Sequence, residues 1–183
     1  MKSLIIFLTL LMCSMAVSAE SSTINFNNVD YIHRWSKASQ FEFTPENQSD
    51  LRNWTDMLTI NYYKGVNDGE RLALVANNIL ASYQQFGAHI IRTDSIPRTK
   101  QKTAEHLIVA IFKQPQFLEF VQARIMINGG VGASIVYSHR VYGEHVSDEM
   151  LKWMELNGSK LENNLMSLQS IPLYLQLKKL AKN

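Results

Sequence analysis

FLEFVQARIMINGGVGASIVYSHRVY, residues 117–142, reads as two long strands joined at Asn128-Gly129-Gly130. Asn-Gly and Gly-Gly supply the positive φ angles of a tight hairpin turn. With Gly129 and Gly130 in the turn, Asn128 pairs with Val131, and counting back sets Glu119 opposite Arg140. That opposite-charge cross-strand pair supports the register. One face then carries Leu118, Phe120, Gln122, Arg124 and Met126 against Val141, His139, Tyr137, Ile135 and Ala133. The other carries Phe117, Glu119, Val121, Ala123, Ile125 and Ile127 against Tyr142, Arg140, Ser138, Val136, Ser134 and Gly132. Neither face is cleanly polar, so the hairpin is expected to be covered on both sides.

Working outward, the cover comes from two amphipathic stretches. VNDGER, residues 66–71, predicts a helix start with Asn67 as cap and Glu70 returning the bond, as in a capping box. Leu72, Val75, Ala76, Ile79, Leu80, Tyr83 and Phe86 then form one apolar stripe, and Gly87 closes the helix. A second helix is expected from Ser147, with Val146 and Leu151 as a hydrophobic staple. Met150, Leu151, Met154, Leu161, Leu165 and Leu168 share its apolar side. Asn157-Gly158 invites a kink, because Gly costs about 1 kcal/mol relative to Ala inside a helix. Ile171-Pro172 is expected to end it, and residues 173–183 form a tail or short helix. Strands are predicted over 29–36, 40–44, 53–63, 88–96 and 103–112, with the basic link PRTKQK at 97–102. Residues 20–28 read as a polar lead-in.

The first twenty residues, MKSLIIFLTLLMCSMAVSAE, have the three parts of a secretory signal peptide. Lys2 is the positive start, Leu4 to Met12 the apolar run, and Val17-Ser18-Ala19 the small-residue cleavage site. Cleavage after Ala19 leaves 164 of the 183 residues, removing 19. The apolar run is shorter than the ~20 residues a membrane span needs. Cys13 is the lone cysteine and leaves with the signal, so no disulfide and no thiol nucleophile is expected in the mature chain. Loss of Lys2 leaves 17 basic against 16 acidic residues, which is no nucleic-acid footprint. A periplasmic or secreted bacterial protein is the expectation. Its domain plan is a signal peptide over 1–19 and one α+β domain over 29–172, a twisted antiparallel sheet packed against helices on both faces.

That order of elements, a long helix after the early strands and a last helix after a four-strand meander, resembles the PsbP/DcrB-like fold group over Val29 to Ile171. The resemblance implies a twisted antiparallel sheet held between helices. It also implies an assembly factor, chaperone-like adaptor or binding module rather than an enzyme. It transfers no functional residue.

Catalytic templates fit poorly. His33, His89, His106, His139 and His145 show no i, i+4 pair of the zinc-protease kind. A metal site would need strand histidines to converge with Glu105 or Asp56. GVGAS, residues 130–134, lacks the G-x-S-x-G elbow, and Ser138 and His139 point to opposite faces of their strand. The candidate binding residues are instead Arg124, His139 and Tyr137, polar groups on one hairpin face, with Trp54 extending the pocket. Arg124 there meets an anionic ligand or a partner's carboxylate; the competing reading is a set of internal ion pairs, since a stranded buried charge costs several kcal/mol. The functional expectation is an exported, non-catalytic binding or accessory protein recognising an envelope protein or small ligand, with no cofactor. The alternatives are a small hydrolase or metal-dependent enzyme assembled from separate strands, and an envelope structural component.

Overall fold

Two consecutive asparagines, Asn27 and Asn28, both take positive φ (54° and 62°) and turn the chain between its first two strands. The structure, a computed structural model, describes residues 23–180; the signal-peptide reading and Cys13 lie outside them. Strands β1 (Thr23–Phe26), β2 (Val29–Lys37), β3 (Gln40–Pro45) and β4 (Asp56–Tyr63) come first. Helix α1 (Gly69–Gln85) precedes β5 (His89–Ile96), β6 (Glu105–Lys113), β7 (Phe117–Asn128) and β8 (Val131–Tyr142). Helices α2 (Val146–Ser167) and α3 (Tyr174–Leu180) complete the described chain.

All eight strands form one antiparallel sheet in the order β1-β2-β3-β4-β8-β7-β6-β5. Two four-strand meanders therefore meet at β4 and β8, and α1 is the crossover between them. The central hairpin has the register expected from its turn: Asn128 pairs with Val131 and Glu119 with Arg140. Gly129 and Gly130 adopt φ of 57° and 79°, as a primed hairpin turn requires.

The helices touch alternate residues of β7. Leu72 and Ala76 of α1 pack with Ile108, Ala123 and Ile125. Met150 of α2 packs with Leu107, Val109, Leu118 and Phe120, and its Leu161 and Leu165 join Ile135 and Tyr137. Phe120, Ile125 and Ile135 are wholly enclosed, and burial of each such side chain stabilises the fold by about 1.5–3 kcal/mol.

Several local expectations are corrected. The lead-in contains β1, because Ile24 and Phe26 alternate with Asn25 and reach the core at 2% and 1% exposure. Asp68, not Asn67, caps α1, its carboxylate accepting the Arg71 amide at 2.8 Å. Gly87 does close α1: its N–H donates to Gln84 and that of Ala88 to Tyr83, with Gly87 at φ 79°. Phe86, placed in the stripe by spacing, projects outward at 72% exposure. Helix α2 starts at Val146 without a side-chain cap, and Leu151 is exposed, so there is no staple. It runs without a break through Asn157-Gly158 and ends at Ser167, four residues before Ile171. Strand β4 starts at Asp56, not Asn53, where the Gln48 side chain accepts the Thr55 and Asp56 amides.

Candidate functional site

The four candidate residues divide among three networks. Arg124 stands in mid-β7, opposite Leu107 of β6. Glu105, two residues before Leu107, shares its face and reaches the guanidinium diagonally. Arg124 Nε donates to Glu105 Oε2 at 2.7 Å, with Arg124 2% and Glu105 9% exposed. One terminal nitrogen donates to the carbonyls of Leu165 (2.9 Å) and Leu168 (2.8 Å). Leu165 is in the last turn of α2 and Leu168 caps it, where backbone acceptors run short of helical partners and the helix dipole favours a cation. Arg124 thus ties β6, β7 and the end of α2 together.

Tyr137 and His139 converge instead on Asp56, the first residue of β4. The Tyr137 hydroxyl donates to Asp56 Oδ1 at 2.6 Å, and His139 Nδ1 lies 3.0 Å from the same oxygen. Burial alone would raise the Asp56 carboxyl, but the hydrogen bonds from His139 and Tyr137 outweigh it and hold it below its usual value. Burial, the adjacent Asp56 charge and the bond to it push the Tyr137 phenol far up, so it stays a neutral donor.

Trp54 belongs to the third network. It sits in the loop before β4 at 3% exposure, with the Arg140 guanidinium 3.9 Å from its ring centroid and Phe117 on the other contact at 4.1 Å. Arg140 Nε donates to Glu119 at 2.8 Å, and the Tyr142 hydroxyl donates to the Trp54 carbonyl. Of the hubs, Asp56 and Glu105 entered the sequence reading only as possible metal partners of a histidine, and Arg140 only as the cross-strand partner of Glu119. In the structure Asp56 does meet a strand histidine, His139, whereas Glu105 meets Arg124.

Arg124 is the one of the four that borders a sizeable cavity among those described. A cavity of about 340 Å³ is lined by Glu105, Arg124, Met126, Asn128, Gln169 and the loop residues Gln101 to Thr103. A second, of about 850 Å³, lies across the same loop, between residues 98–104 and the start of α1. The loop between them is compact at its tip, where the Thr99 hydroxyl accepts the Gln101 and Lys102 amides. Arg98, Lys100 and Lys102 are exposed, and no ion pair among the described residues involves them. Against these three and Arg124 stand Asp68, Glu70 and Glu105, of which Asp68 caps α1 and Glu105 holds Arg124. The walls carry a net positive charge, and its uncommitted part sits on the loop.

Among the described residues no three His, Cys, Asp or Glu side chains form a group that could hold a metal ion. No helix of the described chain is long and apolar enough to cross a membrane. Ser134 bonds to Tyr63 and Asn61, not to a histidine.

No family model and no curated protein sequence matches the chain. Among solved structures, the Ran-binding protein Mog1p of Saccharomyces cerevisiae is similar at a TM-score of 0.47 and 7% identity, over 75% of this chain and 86% of that one. Human STARD10 is similar at 0.28 and 12%, over 83% of this chain and 74% of that one. Likenesses this distant carry no argument about function.

Proposed function

We propose that the protein is an exported, non-catalytic binding or accessory protein, and that it recognises an acidic group of a protein partner or small ligand beside the 97–104 loop. The observation that carries this reading is the loop itself. Three cations without ion-pair partners among the described residues line the larger cavity, and one of them, Lys102, also lines the smaller, which has Arg124 in its wall. Exposed cations at a concave surface steer and hold an anion with little desolvation cost. His139, Tyr137 and Trp54 then serve the scaffold, through Asp56 and Arg140. Export rests on the Lys2, Leu4–Met12 and Val17-Ser18-Ala19 pattern, and places the mature start at Glu20 in the periplasm or outside the cell.

The architecture in this proposal is one domain whose sheet is the middle layer, with α1 and α2 on opposite faces. It is supported by the alternation of their contacts on β7, Ala123 and Ile125 for α1, Leu118 and Phe120 for α2. The PsbP/DcrB-like reading rests on the same order of elements, α1 after the early strands and α2 after the β5–β8 meander.

The test uses the chain from Glu20 onward and a fluorescein-labelled hexaglutamate peptide. Saturable, salt-sensitive binding that falls at least tenfold in Arg98→Ala/Lys100→Ala/Lys102→Ala supports the site. Binding that ignores the triple variant removes it. Stoichiometric zinc in the purified protein, or ester or peptide turnover lost in His139→Ala, moves the protein to the enzyme reading. Intact mass of the exported protein, 19 residues short of the full chain, tests cleavage.

A further inference from the structure

A different groove lies between α1 and the junction of the two meanders. Val75 and Ile79 of α1 form one wall, Val136 of β8 the floor, and Asn61, Tyr63 and Ser134 the polar end, enclosing about 340 Å³. No charged side chain lines it. The space suits a small molecule, and the apolar wall with a few convergent polar groups is the usual composition of a ligand pocket.

The polar end has an unbalanced proton. The Tyr63 hydroxyl and Ser134 Oγ are 3.0 Å apart, and Asn61 Nδ2 donates to Ser134 Oγ at 3.4 Å. Two hydroxyls carry two protons, and the bond between them uses one. If Tyr63 donates, the Ser134 proton is left over; if Ser134 donates, the Tyr63 proton is. Neither hydroxyl meets another acceptor among the described residues. Ser134 is 1% exposed and Tyr63 is half-buried, so on either residue the spare donor is at least partly sheltered from water. Burial raises the Tyr63 phenol, which keeps both groups protonated at neutral pH. A donor without an acceptor in such a place costs free energy that a ligand oxygen recovers.

We infer that this groove binds a small uncharged molecule, with an apolar body against Val75, Ile79 and Val136 and one carbonyl-type oxygen accepting the spare proton of the Tyr63–Ser134 pair. An anion is excluded because no cation faces the groove, and burying an unpaired charge there is costly. The site is separate from the basic loop and does not depend on the function proposed for it.

The test is a backbone amide NMR titration of the mature chain with three probes of one shape: acetophenone, ethylbenzene and benzoate. Acetophenone is expected to shift the Ile79, Ser134 and Val136 amides saturably. Ethylbenzene, which lacks the acceptor, is expected to bind about tenfold more weakly, and benzoate not at all. Tyr63→Phe and Ser134→Ala each leave one hydroxyl and keep the acetophenone preference, whereas the double variant loses it. Equal binding of acetophenone and ethylbenzene, saturable binding of benzoate at these amides, or no shift with acetophenone overturns the proposal without use of any variant. Hexaglutamate binding at the loop is unaffected by any of these results.

Discussion

His139 lies flat on Trp153, with ring centroids 3.8 Å apart and planes within 4° of parallel. The same indole meets Phe120 edge-on at 5.6 Å and stacks over Tyr137 at 6.3 Å. Trp153 is one of the α2 side chains that pack on β7 and β8, and it does so beside the Asp56 network. Trp153→Ala is expected to cost about 3–5 kcal/mol, the range for removing a packed aromatic, with Trp153→Phe keeping most of the stability. Equilibrium urea unfolding measures both; a loss below about 1 kcal/mol for the alanine variant would show that the stack holds nothing.

Acid sensitivity should come in two steps. Burial lowers His33 and His106, the latter beside the larger cavity. A histidine depressed in the folded state contributes stability that is full above about pH 6.5 and lost as pH falls through its folded value. Asp56 is depressed too, so its contribution is full above the unfolded carboxyl value near 4 and is lost only at lower pH. Stability measured by denaturant midpoint from pH 8 to 3 is expected to decline twice. His33→Gln with His106→Gln flattens the upper decline and Asp56→Asn the lower. A single decline, unchanged by Asp56→Asn, would contradict the assignment.

Arg124 and Glu105 form a buried pair, so each is costly to strand. Arg124→Met leaves Glu105 without its ion-pair partner and takes the guanidinium from the Leu165 and Leu168 carbonyls at the end of α2, and is expected to lose about 3–5 kcal/mol. Glu105→Leu should also destabilise, and the double variant by less than the sum, with a coupling of about 1–3 kcal/mol. Additivity within about 0.5 kcal/mol in a double-mutant cycle would mean that the two charges do not depend on each other.

The contrast between Arg124 and the central hairpin shows what the sequence could disclose. The turn glycines and the Glu119–Arg140 pair lie within one local hairpin, so counting from the turn yields every facing residue. Arg124 was placed on the correct face by the same count. Its partner came from β6, whose register against β7 follows no distinctive turn, so the Glu105 contact was not legible. Trp54 looked like a strand aromatic but lies before β4, where a loop folds it onto Arg140. Strand β1 hid behind Asn25, Asn27 and Asn28, although the two positive-φ asparagines were themselves the turn signal. The basic link 97–102 was legible as a basic connection between two strands. The cavities on its two sides depend on where α1 and the end of α2 stop, which only the packed structure fixes.

The last prediction separates two ways in which glycine is required in one hairpin. A Cβ on Gly132 would meet Val66 at 2.5 Å from Cγ1 and 2.7 Å from Cβ, and the Gly132 N–H donates to the Val66 carbonyl at 2.6 Å. The chain entering α1 is thereby fastened to β8 at van der Waals range. Gly130 has open space around it but a φ of 79°, so an added side chain there strains only the backbone. Gly132→Ala is expected to cost about 1–3 kcal/mol by overpacking, and trimming its neighbour with Val66→Ala recovers part of that loss. Gly130→Ala costs about 1–2 kcal/mol through the left-handed conformation, and Val66→Ala recovers none of it. Thermal unfolding of the three single and two double variants decides the matter: equal response of both glycine positions to Val66→Ala would mean that Val66 is not what Gly132 accommodates.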